Sequence, residues 1–140
     1  MTTTARSRAP TTRWAALPKP HQVDGPPILI GGAGEKKTLR LVAQYAQACN
    51  LFGGPEVAHK LDVLRGHCEA VGRDYEEIEK TVMFPLDPGT DGENVDTILE
   101  QMAGLAKLGV THVHGWVPGV SAITPLEILG EKVIPEADKL

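Results

Sequence analysis

Residues 28–38 read ILIGGAGEKKT, and the fold turns on this stretch. Ile28-Leu29-Ile30 is a short apolar run behind two prolines, and Gly31-Gly32 closes it. A run of that kind, with no polar alternation, is the pattern of a strand buried in a parallel sheet. From Glu35 the period changes. Leu39, Val42 and Ala46 make one stripe, widened by Leu41 and Tyr45, which predicts a helix over 35–47. A strand that runs through glycines straight into a helix is a βα unit.

The same alternation continues outward. Cys49 to Phe52 predicts a second strand, closed by Gly53-Gly54. Pro55 then suits the first position of a helix carrying Val57, Leu61, Leu64, Cys68 and Val71, with Gly72 as its C-terminal cap. Thr81 to Phe84 predicts a third strand. Val95, Ile98, Leu99, Met102, Leu105 and Leu108 stripe a third helix that Gly109 ends, and Val110 to Trp116 predicts a fourth strand. Thr124-Pro-Leu-Glu127 has the spacing of a capping box, and Pro135 is expected to end or kink the helix it opens. Four βα units imply an α/β fold with a parallel sheet and right-handed crossovers. They suit an open doubly wound sheet or half of a (βα)8 barrel.

Composition agrees with a globular domain. Of 140 residues, 41% are hydrophobic and 23% charged, which excludes collagen, coiled coil and wholesale disorder. Residues 1–25 differ: they are rich in Thr, Arg and Pro, lack an apolar period, and read as a disordered leader before a domain at 26–140. The first 20 residues hold four bases and no acid, whereas the rest hold 10 bases against 18 acids. A domain that acidic offers no footprint for nucleic acid or an anionic membrane. No apolar run spans a bilayer and the start lacks a secretory h-region, so a cytoplasmic protein is expected.

The chemistry concentrates at residues 31–38. Glycines let the chain turn tightly and present backbone N–H groups, while the helix that follows aims further donors and its positive dipole end at the same point. Lys36 or Lys37 is expected to add charge, or else to face solvent. Gly31, Gly32, Ala33 and Gly34 thus form either a phosphate cradle or a plain βα turn. Two sharper motifs fail. A dinucleotide fingerprint needs a third glycine where Lys37 stands and an acid at the end of the next strand, where Asn50-Leu51 stands. A P-loop needs glycine directly before Lys-Thr, and Lys36 stands there.

Other side chains read more plainly. His112 and His114 share one strand face, but two ligands do not make a metal site, so no metal is assigned. His114 and Trp116 are expected to line a ligand mouth or to pack structurally. His59 and His67 are expected at a helix surface, Cys49 and Cys68 in the core, and Glu76, Glu77 and Glu79 in a solvated turn.

PPILIGGAGEKKTLRLVAQYAQACNLFG (26–53) resembles the C-terminal half of the luciferase-like monooxygenase family, above all the branch that uses the deazaflavin coenzyme F-420. HKLDVLRGHCEAVGRDYEEIEKT (59–81), LAKLGVTHVHGWVPG (105–119) and ITPLEILGEKVIP (123–135) agree with it. The resemblance implies the C-terminal half of a (βα)8 TIM barrel that works on a small-molecule substrate as a flavin- or deazaflavin-dependent oxidoreductase. Coenzyme F-420, or FMN, would place its phosphate on Gly31, Gly32, Ala33 and Gly34, with Lys36 beside it and Asn50 at a recurrent position on the next strand. In such a family most residues that touch the ring and substrate lie on upstream strands, so no catalytic residue is placed here. A full barrel needs about 250 residues. Half a barrel implies pairing, as a homodimer or with a separate half. The alternative is a non-catalytic half-barrel that binds a phosphorylated ligand or assembles with another subunit.

Overall fold

In the computed structural model, which describes residues 25–140, four parallel strands alternate with helices. The strands are β1 (Leu29–Gly31), β2 (Ala48–Phe52), β3 (Glu79–Met83) and β4 (His112–His114), and they lie side by side in sequence order. Helices α1 (Thr38–Tyr45), α2 (Val57–Val71) and α3 (Val95–Lys107) connect them, and a helical segment follows β4. The α/β reading of the sequence therefore holds. The expected leader lies outside the described residues, Gly25 apart.

Register divides the sheet into two unlike faces. Ile30, Cys49 and Lys80 are partners in one row, and Leu51, Val82 and Val113 in another; both rows point at the helices. Leu39, Leu51, Val57, Leu61, Val82 and Ile98 make one core cluster, and Val42, Ala43, Cys49, Leu64, Cys68 and Ile78 the other. Side chains alternate along a strand. The opposite face therefore carries Leu29, Asn50, Phe52, Thr81, Met83, His112 and His114. Phe52 is 63% exposed there. Lys80 is the odd member of the covered rows. Its ammonium reaches Glu76 at 2.7 Å and lies 4.2 Å from the centre of the Tyr75 ring, so a charge in an apolar layer keeps a partner.

Several expectations are corrected at element ends. The first helix begins at Thr38, because Glu35–Lys37 form a turn. Pro55 stands before the cap of α2, and Glu56 is the N-cap residue. Gly72 does close α2 in the left-handed region, at φ 68°, but Val71 faces water. The expected capping box does not form. Ile123, at φ 66°, takes the cap position, and the Thr124 hydroxyl turns back toward the Ala122 carbonyl at 3.5 Å. Nor does Pro135 end the last helix. α4 (Thr124–Ile128) passes through a π-helical turn at Leu129–Val133 into α5 (Ile134–Ala137), so the helical bonding is interrupted just before Pro135 and not ended, and Pro135 stands in the first turn of α5, where its missing N–H costs least. The β1 strand is less buried than a central parallel strand should be, with Ile28 and Leu29 both about half exposed, because it is an edge. The other edge, β4, has three residues in place of the seven expected.

The acidic turn is paired as well. Glu76 meets Lys80, Glu77 meets Arg73 at 3.4 Å, and Glu79 meets His112 Nδ1 at 2.7 Å. Cys49 and Cys68 are buried as expected, and burial raises both thiols above their ordinary pKa.

Candidate functional site

The β1–α1 turn is built by three glycines with different tasks. Gly31 is the last strand residue and lies beside Asn50 in the register. Gly32 sits at φ 120°, a region open to glycine, and its N–H donates to the Asn50 carbonyl at 3.0 Å. Its amide is thus spent on the sheet, and what it brings to the turn is conformation. Gly34 lies so close to α1 that a Cβ there would stand 2.8 Å from Thr38 Oγ1. Its carbonyl accepts from Leu39 N at 3.0 Å, which fixes the turn to the helix.

Past Gly32 the amides change role. Among the described residues, the N–H groups of Ala33, Gly34, Glu35, Lys36 and Lys37 donate to no backbone carbonyl. They precede the first turn of α1, whose orphan donors and dipole end favour an anion. Lys36 and Lys37 are both exposed, and neither is in an ion pair among the described residues. Asn50 lies on the open face of the sheet. Its Oδ1 accepts from the Thr81 hydroxyl at 3.1 Å, a proton shared with the Cys49 carbonyl at 2.9 Å, and this leaves the Asn50 amide nitrogen free to donate.

Glu35, the one acid in this turn, is held by the neighbouring helix. Its carboxylate pairs with Lys60 at 2.5 Å and with His59 Nε2 at 3.2 Å. His67 Nε2 lies 2.8 Å from the Glu35 carbonyl oxygen, which accepts its proton. His67 is therefore half-buried and structural, where a surface position was expected. Lys60 and His67, seven residues apart, project from one side of α2 and tether the turn. Sequence reasoning missed this tether; the spacing of the two residues was visible, but their target, some 25 residues away, was not.

The tether has a pH signature. The Lys60 hydrogen bond and charge hold the Glu35 carboxyl below its ordinary value of 4.5. A carboxylate with a depressed folded pKa stabilises the fold above its unfolded value and loses that contribution as pH falls through the folded one. Carbon-detected NMR should show Glu35 titrating below its ordinary value, and Lys60→Met should move it back toward that value. An unchanged midpoint in that variant would mean the pair does not hold the turn.

The two histidines of β4 do not come together as ligands. His112 Nδ1 is taken by Glu79, and among the described residues no group of three or more His, Cys, Asp or Glu is placed to hold a metal. Trp116 stands half-exposed beyond the end of β4. A separate cleft of about 650 Å³ opens at the C-terminal ends of β2 and β3, against α3. Phe84, Pro85, Val57, Leu105 and Leu108 line it, and none of residues 31–38 does. It holds no titratable group.

No helix among the described residues is long and apolar enough to cross a membrane. No protein-family model and no curated protein matches this chain. Among solved structures it is similar to the coenzyme F-420-dependent tetrahydromethanopterin reductase of Methanopyrus kandleri, with a TM-score of 0.58 and 14% sequence identity. The likeness covers 78% of this chain and 50% of that one, so the chain spans about half the length of the enzyme it resembles. At that identity the likeness is one of fold: four βα units arranged as in half of a larger α/β barrel.

Proposed function

We propose that the chain is the C-terminal half of a luciferase-like barrel and that it holds the phosphate of a deazaflavin or flavin coenzyme at the Gly31–Gly34 turn, as part of an oxidoreductase. The observation that carries this reading is the run of five successive amides, Ala33 to Lys37, without an acceptor among the described residues and set ahead of α1. The geometry suits the group. Gly34, with no Cβ to clash with Thr38, lets the turn lie close against the start of α1, and Lys36 is exposed with no ion-pair partner among the described residues. A coenzyme F-420-dependent enzyme as structural neighbour supports that coenzyme ahead of FMN.

When bound, the coenzyme supplies hydride chemistry through its ring. The chain's own task is to bind and orient. Amides 33–37 grip the phosphate, Gly32 sets the angle at which the strand delivers them, and the tether through Glu35 stops the turn from opening. Asn50, one strand over, offers its amide nitrogen on the open face of the sheet, where the rest of the ligand would lie.

Titration of the purified chain with coenzyme F-420, FMN and inorganic phosphate tests the proposal. Saturable binding of F-420 is expected, weakened about tenfold by Lys36→Glu, which reverses a charge near the phosphate. Gly32→Asp should abolish binding, since it strains a φ of 120° and sets a carboxylate against the anion. Binding of phosphate alone, with no preference for either coenzyme, would favour the non-catalytic half-barrel. No binding by a chain whose circular dichroism shows it folded would end the phosphate assignment.

A further inference from the structure

We propose that a second copy of this chain closes the half-barrel. The β1 edge and α1 flank of one copy would meet the β4 edge and the α4–α5 flank of the other, and the contact would occur twice about a twofold axis along the barrel. The proposal rests on the half-barrel fold and not on the coenzyme.

Three observations point to the same occupant. The first is the sheet. Among the described residues β1 and β4 are its two edges, each three residues long, and in a parallel ladder both can pair with a strand running the same way. The bonds from Gly32 and to Ile28 alternate toward β2, so Leu29 and Gly31 turn their N–H and C=O groups outward. An unpaired parallel edge is a template for another strand.

The second is where, among the described residues, apolar surface has been left uncovered. Ile28 lies on the helix side of β1 yet is 51% exposed, and Leu41 and Tyr45, one turn apart on α1, are 41% and 61% exposed. They border the space that, in a barrel, the helix preceding β1 would occupy. At the other end of the sheet, Ile128, Leu129 and Val133 bury the last helical segment against α3, while Leu126 and Ile134 on its other side remain exposed. Each uncovered flank is what the opposite flank would cover. Closure about a twofold axis makes both contacts at once and leaves no open edge.

The third is charge. The α1 flank carries Lys36, Lys37 and Arg40, all exposed and in no ion pair among the described residues. The far flank carries Glu127, Glu131 and Asp138, equally exposed and equally unpaired among the described residues, against one unpaired base, Lys132, whose ammonium lies toward Gly92. Two basic faces or two acidic faces would repel. Base meets acid only in the head-to-tail arrangement that barrel closure demands.

Sedimentation velocity of the full chain at micromolar concentration should show a dimer. Two double variants then test the arrangement: Lys37→Glu with Arg40→Glu, and Glu127→Lys with Glu131→Lys. All four positions are exposed, so circular dichroism should be unchanged. Each variant alone should dimerise about a hundredfold more weakly. Mixed together they should form a heterodimer near wild-type affinity, because both of its contacts again join opposite charges. A monomeric wild type, a dimer indifferent to both reversals, or a mixture that stays monomeric would overturn the proposal.

Discussion

Gly115→Ala should destabilise the fold by about 3 kcal/mol or more and lower the melting temperature by roughly 10 °C. A Cβ at this position would overlap the Phe84 carbonyl oxygen and stand 2.9 Å from its carbonyl carbon. Both are backbone atoms, so no rotamer change relieves the clash. The strands themselves must separate, where Phe84 N donates to His114 O at 3.2 Å and Leu86 N to Trp116 O at 3.0 Å. These bonds carry β3 and β4 beyond their regular ladder, and opening them would loosen the edge that β4 presents. Gly66→Ala is the matching control. Gly66 lies inside α2 with no atom within 4 Å of a Cβ, so alanine there should add about 0.5–1 kcal/mol through helix propensity. Thermal unfolding of the pair checks both signs; equal effects would show that the Phe84 contact is not what excludes a side chain at Gly115.

Leu64→Ala should cost about 2–5 kcal/mol by urea denaturation. Leu64 is fully buried, in the cluster formed by Val42, Ala43, Cys49, Cys68 and Ile78. Removing three carbons loses their transfer free energy, and the strand backbone on one side keeps the cavity from collapsing. The midpoint should fall with the slope unchanged. If two copies associate, stability depends on protein concentration, and the comparison needs one fixed concentration. A loss below about 1 kcal/mol would mean that α1 and α2 close over the gap.

The alternation of apolar strands and amphipathic helices was legible in the sequence because each element is decided locally. The stripe Val57, Leu61, Leu64, Cys68 needs only its own period, and Gly72 needs only its own φ. What escaped was decided by neighbours. Ile28 and Leu29 have the composition of buried residues, but their exposure depends on whether a strand lies beside β1, which no local pattern encodes. Thr124 has the spacing of a capping residue, yet the positive φ of Ile123 moves the helix start by one position. Pro135 is compatible with an end or a kink, and the π turn upstream of it shows that the helix is interrupted and not ended. The site divides along the same line. The glycine turn could be read from 31–38, whereas the hold of Lys60 and His67 on Glu35 depends on how α2 packs on α1, a matter of tertiary geometry.

The sequential order of the strands has a kinetic meaning. Each ladder joins β-strands that are neighbours in the chain, so the loop to be closed is one helix and its two turns. No pairing waits for a distant partner, and the entropy of closure stays nearly the same at every step. The fold can grow by accretion, each βα unit docking on an edge already formed. Adding a strand from outside the molecule differs from these steps only in lacking the covalent link. Assembly would then be folding continued past the end of the chain.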